Sequence, residues 1–234
     1  GAGEGSFQAS GTSDFTSSDG SVLLDSSGNQ LGGTVSASSG SSGSIFLTAT
    51  DAIELGRIAA GSGGVTVESN SISLTDDIST EGGSVELTAD AATKADTTLV
   101  LEESVTVDTT DGGLVPTGGN LTLRGTIDGA ADNAQSLSLN AGTGGEILVT
   151  DAIGGGTDRQ LATLTVVHSN GATFEGAVTA ATVALTDTSG TVAFEGDTTI
   201  TSALTTAAED YGLRFTGASN RIAGDTTLQN TGTV

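Results

Sequence analysis

Carboxylates are the side chains this chain supplies in quantity for chemistry: 29 Asp and Glu stand against 6 Lys and Arg, one His and no Cys. Two carboxylates at a fixed separation can work as acid and base, so spacing has to decide. Asp76-Asp77 and Glu102-Glu103 are adjacent in sequence. Neighbours in an extended strand face opposite sides, so these pairs read as solvated turn carboxylates rather than a catalytic couple. His168, in TVVHSNG with Asp151 upstream, lacks the Gly-x-Ser-x-Gly turn that would present a nucleophile. It is expected at a strand end or corner, and one His without Cys does not make a zinc site. Arg57, Lys94, Arg124, Arg159, Arg214 and Arg221 are spread along the chain, so no basic group is assigned to an acidic cleft. The stretches GTGGE and GGGTD lack the following Lys-Ser/Thr of a phosphate loop and read as corners needing positive φ.

Calcium is the one cofactor these residues suggest. Asp108 and Asp111 in DTTDGG, Asp128 and Asp132 in DGAAD, and Asp76 with Asp77 form oxygen-rich corners suited to a hard cation. The calcium-binding nonapeptide Gly-Gly-x-Gly-x-Asp is absent, and structural turn aspartates are the favoured reading. NLT at 120–122 matches a glycosylation acceptor.

The net charge of −23 opposes nucleic acid and anionic lipid, which excludes both as expected partners. No apolar run approaches the roughly 20 residues of a membrane-spanning helix. No signal peptide opens the chain, which reads as a cytosolic protein, a mature piece or an excised fragment.

These residues must be positioned by elements built from 35% apolar and 3% aromatic residues, which is little material for a thick core. The apolar residues recur instead. Ile45, Val65, Val85 and Val105 open SIFLTA, GVTVES, SVELTA and SVTVDT at steps of about 20 residues. Each segment alternates apolar and polar, as a strand with one buried face does. A second column holds Ile53 with Leu55 and Ile72 with Leu74, and a third holds Ile58, Ile78 and Leu99. Towards the end, Phe174, Phe194 and Phe215 recur, each followed two residues later by Gly176, Gly196 and Gly217. Val192, Leu213 and Val234 run in parallel with them. In the repeated Phe-Glu-Gly the acid becomes Thr216 in the third copy, so aromatic and glycine are architecture and the acid faces solvent.

Three short strands per repeat, separated by Gly, Ser, Asn and Asp, predict a chain that turns three corners and stacks on itself. The fold class is all-β, a parallel β-helix (β-solenoid) with three short strands per coil of about 20 residues, right-handed as crossovers between parallel strands usually are. Such a count predicts roughly 11 coils and a rod on the order of 50 Å. Residues 1–234 are expected to form one continuous segment, with 1–32 less regular and with longer corner loops at 126–135 and 154–162. Function is sought in those corners. Val234 falls at a strand opening, which reads as an excerpt from a longer repeat protein.

The stretch GSIFLTATDAIELGRIAAGSGGVTVESNSISLTDDISTEGGSVELTA at 43–89 resembles the repeats of filamentous-haemagglutinin-like exoproteins, giant bacterial adhesins and autotransporter passengers. The resemblance covers about residues 33–234. It implies a right-handed parallel β-helix displayed on, or released from, the bacterial cell surface. The Asn-Pro-Asn-Gly and Asn-Pro-Asn-Leu motifs of the secretion module are absent, so the chain resembles the stalk.

The expected function is therefore non-enzymatic: a structural and adhesive segment of an extracellular or cell-surface fibre. Its expected partners are copies of itself stacked end to end, flanking repeats of the same chain, and a cell-surface glycan or protein. Two alternatives stand beside it. A β-helical carbohydrate-binding or polysaccharide-degrading module would gather carboxylates and a basic residue from adjacent coils. An ice-binding solenoid would align Thr-x-Thr on a flat face, at which TDTSGTV and DTTITS hint.

Overall fold

A computed structural model describes residues 5–89 and 97–234. Every regular element in it is a β-strand. The strands stack in parallel as a β-solenoid of about 10 turns, with three strands per turn and about 22 residues per coil. Nine strands form one sheet, from Val22–Leu24 to Tyr211–Phe215, and fourteen form a second that bends around the other sides of the coil. Nine rungs about 4.8 Å apart span roughly 40 Å along the stack.

The narrow interior is filled by columns of like side chains. One runs Val22, Ile45, Val65, Val85, Leu121, Ile147, Ala172, Val192 and Leu213, each residue paired in register with the next. A second runs Leu24, Leu47, Val67, Leu87, Leu123, Val149, Phe174, Phe194 and Phe215 in the same strands. The phenylalanine rings stack face to face, with centroids 5.0 Å apart in both steps and interplanar angles of 12° and 8°. No coil could bury its apolar face alone; stacking does so with few aromatics.

The ladders correct the even count in two places. Val105 does not follow Val85: the partner of Val85 is Leu121, while Val105 pairs with Leu137 in the other sheet. Leu99 does not follow Ile78 either, but pairs with Ile72 and Ile127, and Ile78 is followed by Val107. The coil after Val85 carries extra residues, among them the long corner between Asp108 and Leu121, so a fixed step lands on the wrong strand. Ile53 with Ile72, and Leu55 with Leu74, pair as the second column requires.

Before Gly33 two strands join the same ladders, Ser13–Thr16 pairing with Thr34–Ser38 and Val22–Leu24 with Ser44–Thr48, while Gln8–Ala9 and Gln30–Leu31 pair as a separate two-stranded sheet. At the other end, Leu213 N donates to Thr233 O, but Val234 lies in no strand and is 68% exposed, so the column of buried side chains ends at Leu213.

Glycines beside the phenylalanines are demanded by close approach of coils. A Cβ on Gly196 would lie 2.4 Å from the carbonyl carbon and oxygen of Gly176, and one on Gly217 would lie 2.3 Å from Gly196 O. The positive φ expected of the glycine-rich corners is found at Gly142 (73°) and Gly154 (64°).

Candidate functional site

Corners are where the chain departs from its ladder; of the expected corner 126–135, residues 126–129 instead pair as a strand with Thr98–Leu101, and the turn that follows meets the loop before Leu161. Gly129 N donates to Arg159 O and Arg159 Nη1 to Gly129 O, at 3.1 and 3.3 Å. Asn133 N donates to Gln160 O, while Gln160 N donates to Asp132 Oδ1 at 3.2 Å. The Gln160 amide then bridges Asn133 Oδ1 and Thr201 Oγ1, both at 2.9 Å. Left-handed backbone at Asn133 (φ 54°) and Asp158 (φ 56°) makes the reversals these docked loops need. The result is a raised ridge beside the strand Thr126–Gly129, with Asp128 buried beneath it.

A concavity lies on the outer face of the same sheet, reaching to the coil before that of Asp128. It has a volume of about 430 Å³ and is lined by Arg57, Asp76, Asp77, Ser79, Thr106 and Asp108. Pairing of Ile58 with Ile78 and of Ser79 with Asp108 brings these groups together from successive coils. A basic residue thus shares a groove with carboxylates of adjacent coils, the arrangement that the carbohydrate-active alternative requires. All three of these carboxylates are engaged by nearby backbone. Asp77 Oδ1 accepts from Thr106 N at 2.6 Å, and Asp76 Oδ1 from Asp77 N at 2.7 Å. Asp108 accepts from Thr110 N, Thr110 Oγ1 and Gly112 N, at 2.8, 2.6 and 2.9 Å.

The six aspartates proposed for calcium therefore divide. Asp76, Asp77 and Asp108 border the Arg57 groove, Asp111 turns the following loop with φ 51°, and Asp128 and Asp132 belong to the ridge. Among the described residues no three of Asp, Glu, His or Cys converge as a metal site would need.

His168 lies within the strand Leu161–Ser169, with Nδ1 3.5 Å from Asp187 Oδ2 on the next coil. Asp151 is elsewhere, accepting from Gly125 N and Thr150 Oγ1. Arg124 pairs with Glu86 at 3.5 Å and Arg214 with Glu195 at 4.0 Å, both on the surface. Lys94 lies outside the described residues. The threonines of TDTSGTV and DTTITS do not form a flat outward face, since Thr188 and Thr198 are buried. Threonines that do align across coils on the outer face include Thr98 with Thr126, Thr179 with Thr199, and Thr163 with Thr182, the last a column that passes to Ala203 on the next coil.

Sequence reasoning missed the buried hydroxyls that hold the corners. The Thr109 hydroxyl accepts from Gly119 N and faces Gly119 O and Asn140 O, at 2.9, 3.0 and 3.2 Å. Ser169 and Thr188 are hydroxyl partners at 2.5 Å on successive coils. The available signal was a polar residue at an inward position directly before a glycine-rich turn.

Compared with protein families, curated proteins and solved structures, the chain matches none of them.

Proposed function

We propose that the chain is a rigid, stalk-like segment of an extracellular or cell-surface β-solenoid fibre, and that its adhesive contacts are made by outward faces and raised corners. The observation that carries this reading is the unbroken in-register pairing from Val22 to Leu213. In such an array each coil is held by its two neighbours, so the stack resists bending and local opening along its whole length. Outward Ser, Thr and Asp offer many weak contacts whose sum is strong when they engage one surface together. Copies of the chain, flanking repeats, and a surface glycan or protein are the partners of this reading; the charge of −23 disfavours nucleic acid. Among the described residues no helix is long and apolar enough to cross a membrane.

Negative-stain electron microscopy with and without calcium tests the proposal. Discrete rods at least roughly 40 Å long are expected in both conditions. Regular polymers would assign the chain to a self-associating filament, and a collapsed globule would sink the stalk reading.

A further inference from the structure

The loop 154–160 turns an outward carboxylate into a buried one. In the strand Thr126–Gly129, Ile127 fills the core column, so Asp128 points to the opposite face; yet it is only 5% exposed. Its Oδ1 accepts from Gly156 N at 3.1 Å, and among the described residues the carboxylate has no other hydrogen bond and no ion pair. Arg159, the basic residue on the covering loop, directs Nη1 to Gly129 O instead. A carboxylate has about four lone-pair sites, and this one meets a single protein donor.

Oδ2 is left to a groove of about 340 Å³ that Asp128 lines with Thr97, Thr98, Thr126, Ala152, Gly155 and Gly156. Pairing of Thr98 with Thr126 sets their side chains side by side on its floor. Gly156 keeps this approach open: a Cβ there would lie 2.7 Å from Asp128 Oδ2 and 2.9 Å from Arg159 Cδ. Its φ is not in the left-handed region, so space rather than backbone conformation is what glycine supplies here.

The chemistry of the walls selects the ligand. A divalent cation needs about six to eight oxygens, usually from more than one carboxylate, and no three acidic groups converge here among the described residues. An ammonium group would satisfy Asp128 but use little of the groove. A ligand bearing several hydroxyls fits all of it: hydroxyls donate to Oδ2, while threonine hydroxyls both donate and accept. The volume is at the small end of ligand sites, suited to one ring. We propose that this groove binds a sugar ring of a surface glycan, with Asp128 accepting from its hydroxyls and Thr98 and Thr126 completing the polar contacts. The inference deepens the adhesive reading and rests on it for the presence of a partner surface.

The test applies the 234-residue chain to an array of neutral and acidic oligosaccharides, followed by calorimetric titration of the best-bound one. Asp128→Asn and Gly156→Ala are each expected to weaken binding about tenfold or more, and Glu209→Gln, in an exposed turn several coils away, by less than about twofold. Asn keeps an acceptor for Gly156 N, so at least one groove variant retains the loop. Circular dichroism and microscopy should show parent-like rods for all three variants. Absence of binding at millimolar oligosaccharide, or binding indifferent to both groove variants, overturns the groove and leaves the stalk standing. Displacement of the sugar by a lysine-containing peptide or calcium at the same groove overturns it too. Loss of the rods themselves would strike the stalk reading instead.

Discussion

Among the described residues, Tyr211 shows how the fold changes a side chain's titration. It is 1% exposed, its hydroxyl meets no hydrogen-bond partner, and burial pushes its phenol above the ordinary 10.0. The Thr206 hydroxyl lies near enough to oppose this shift in part, though outside hydrogen-bonding geometry. Because the folded state holds the proton more tightly than the unfolded chain, this contribution to stability is complete below about pH 10 and is lost as pH rises through the folded value. The chain has one Tyr and no Trp, so near-ultraviolet phenolate absorbance reports this group alone. The expected midpoint lies above 10.0 in the native protein and returns to it in urea. A native midpoint at the ordinary value would mean that the last coil is open. The same scale holds the difference between aspartates: Asp108 has several donors within its own loop, whereas Asp128 has one and a groove.

At the scale of elements, stability resides in columns rather than in individual strands. Phe194 sits between Phe174 and Phe215 and contacts both rings. Phe194→Ala is expected to cost about 3–5 kcal/mol, because the coils are held apart by their backbone ladders and cannot close the void. Phe194→Leu should cost much less, since leucine already fills this column at Leu87 and Leu123. Urea unfolding followed by circular dichroism measures both, and equal losses would show that the column needs the stacked ring itself and that leucine bulk does not replace it. The alternation of apolar and polar residues made most strands legible, and recurrence revealed the phenylalanine column. Register was legible only where coils are equal in length. Beyond Val85 the long corner before Leu121 broke the count, and Val105 and Leu99 were placed in the wrong columns. Spacing along a chain reports register only while every coil has the same perimeter.

On the scale of the whole molecule, charge opposes compaction. A net charge of −23 is carried on a rod whose outward faces hold few basic residues. Self-repulsion of this kind destabilises the folded state and is screened over about 10 Å at 0.1 M salt. Raising ionic strength from about 10 mM to about 150 mM should therefore raise the thermal midpoint by several degrees, as followed by circular dichroism. A midpoint that falls with salt would mean that attractive surface pairs such as Arg124 with Glu86 outweigh the repulsion.

The sequence by itself determined that this chain builds a parallel β-solenoid, because period-two alternation and recurring columns are local properties read one segment at a time. It also pointed to the corners at 126–135 and 154–162 as the places to look. Only the tertiary structure decided that these corners dock on each other through Gln160, that the second buries Asp128, and that Arg57 shares a groove with Asp77 and Asp108. Those juxtapositions join residues one or two coils apart, and their partners are set by how far each intervening corner swells, a length that no local pattern encodes.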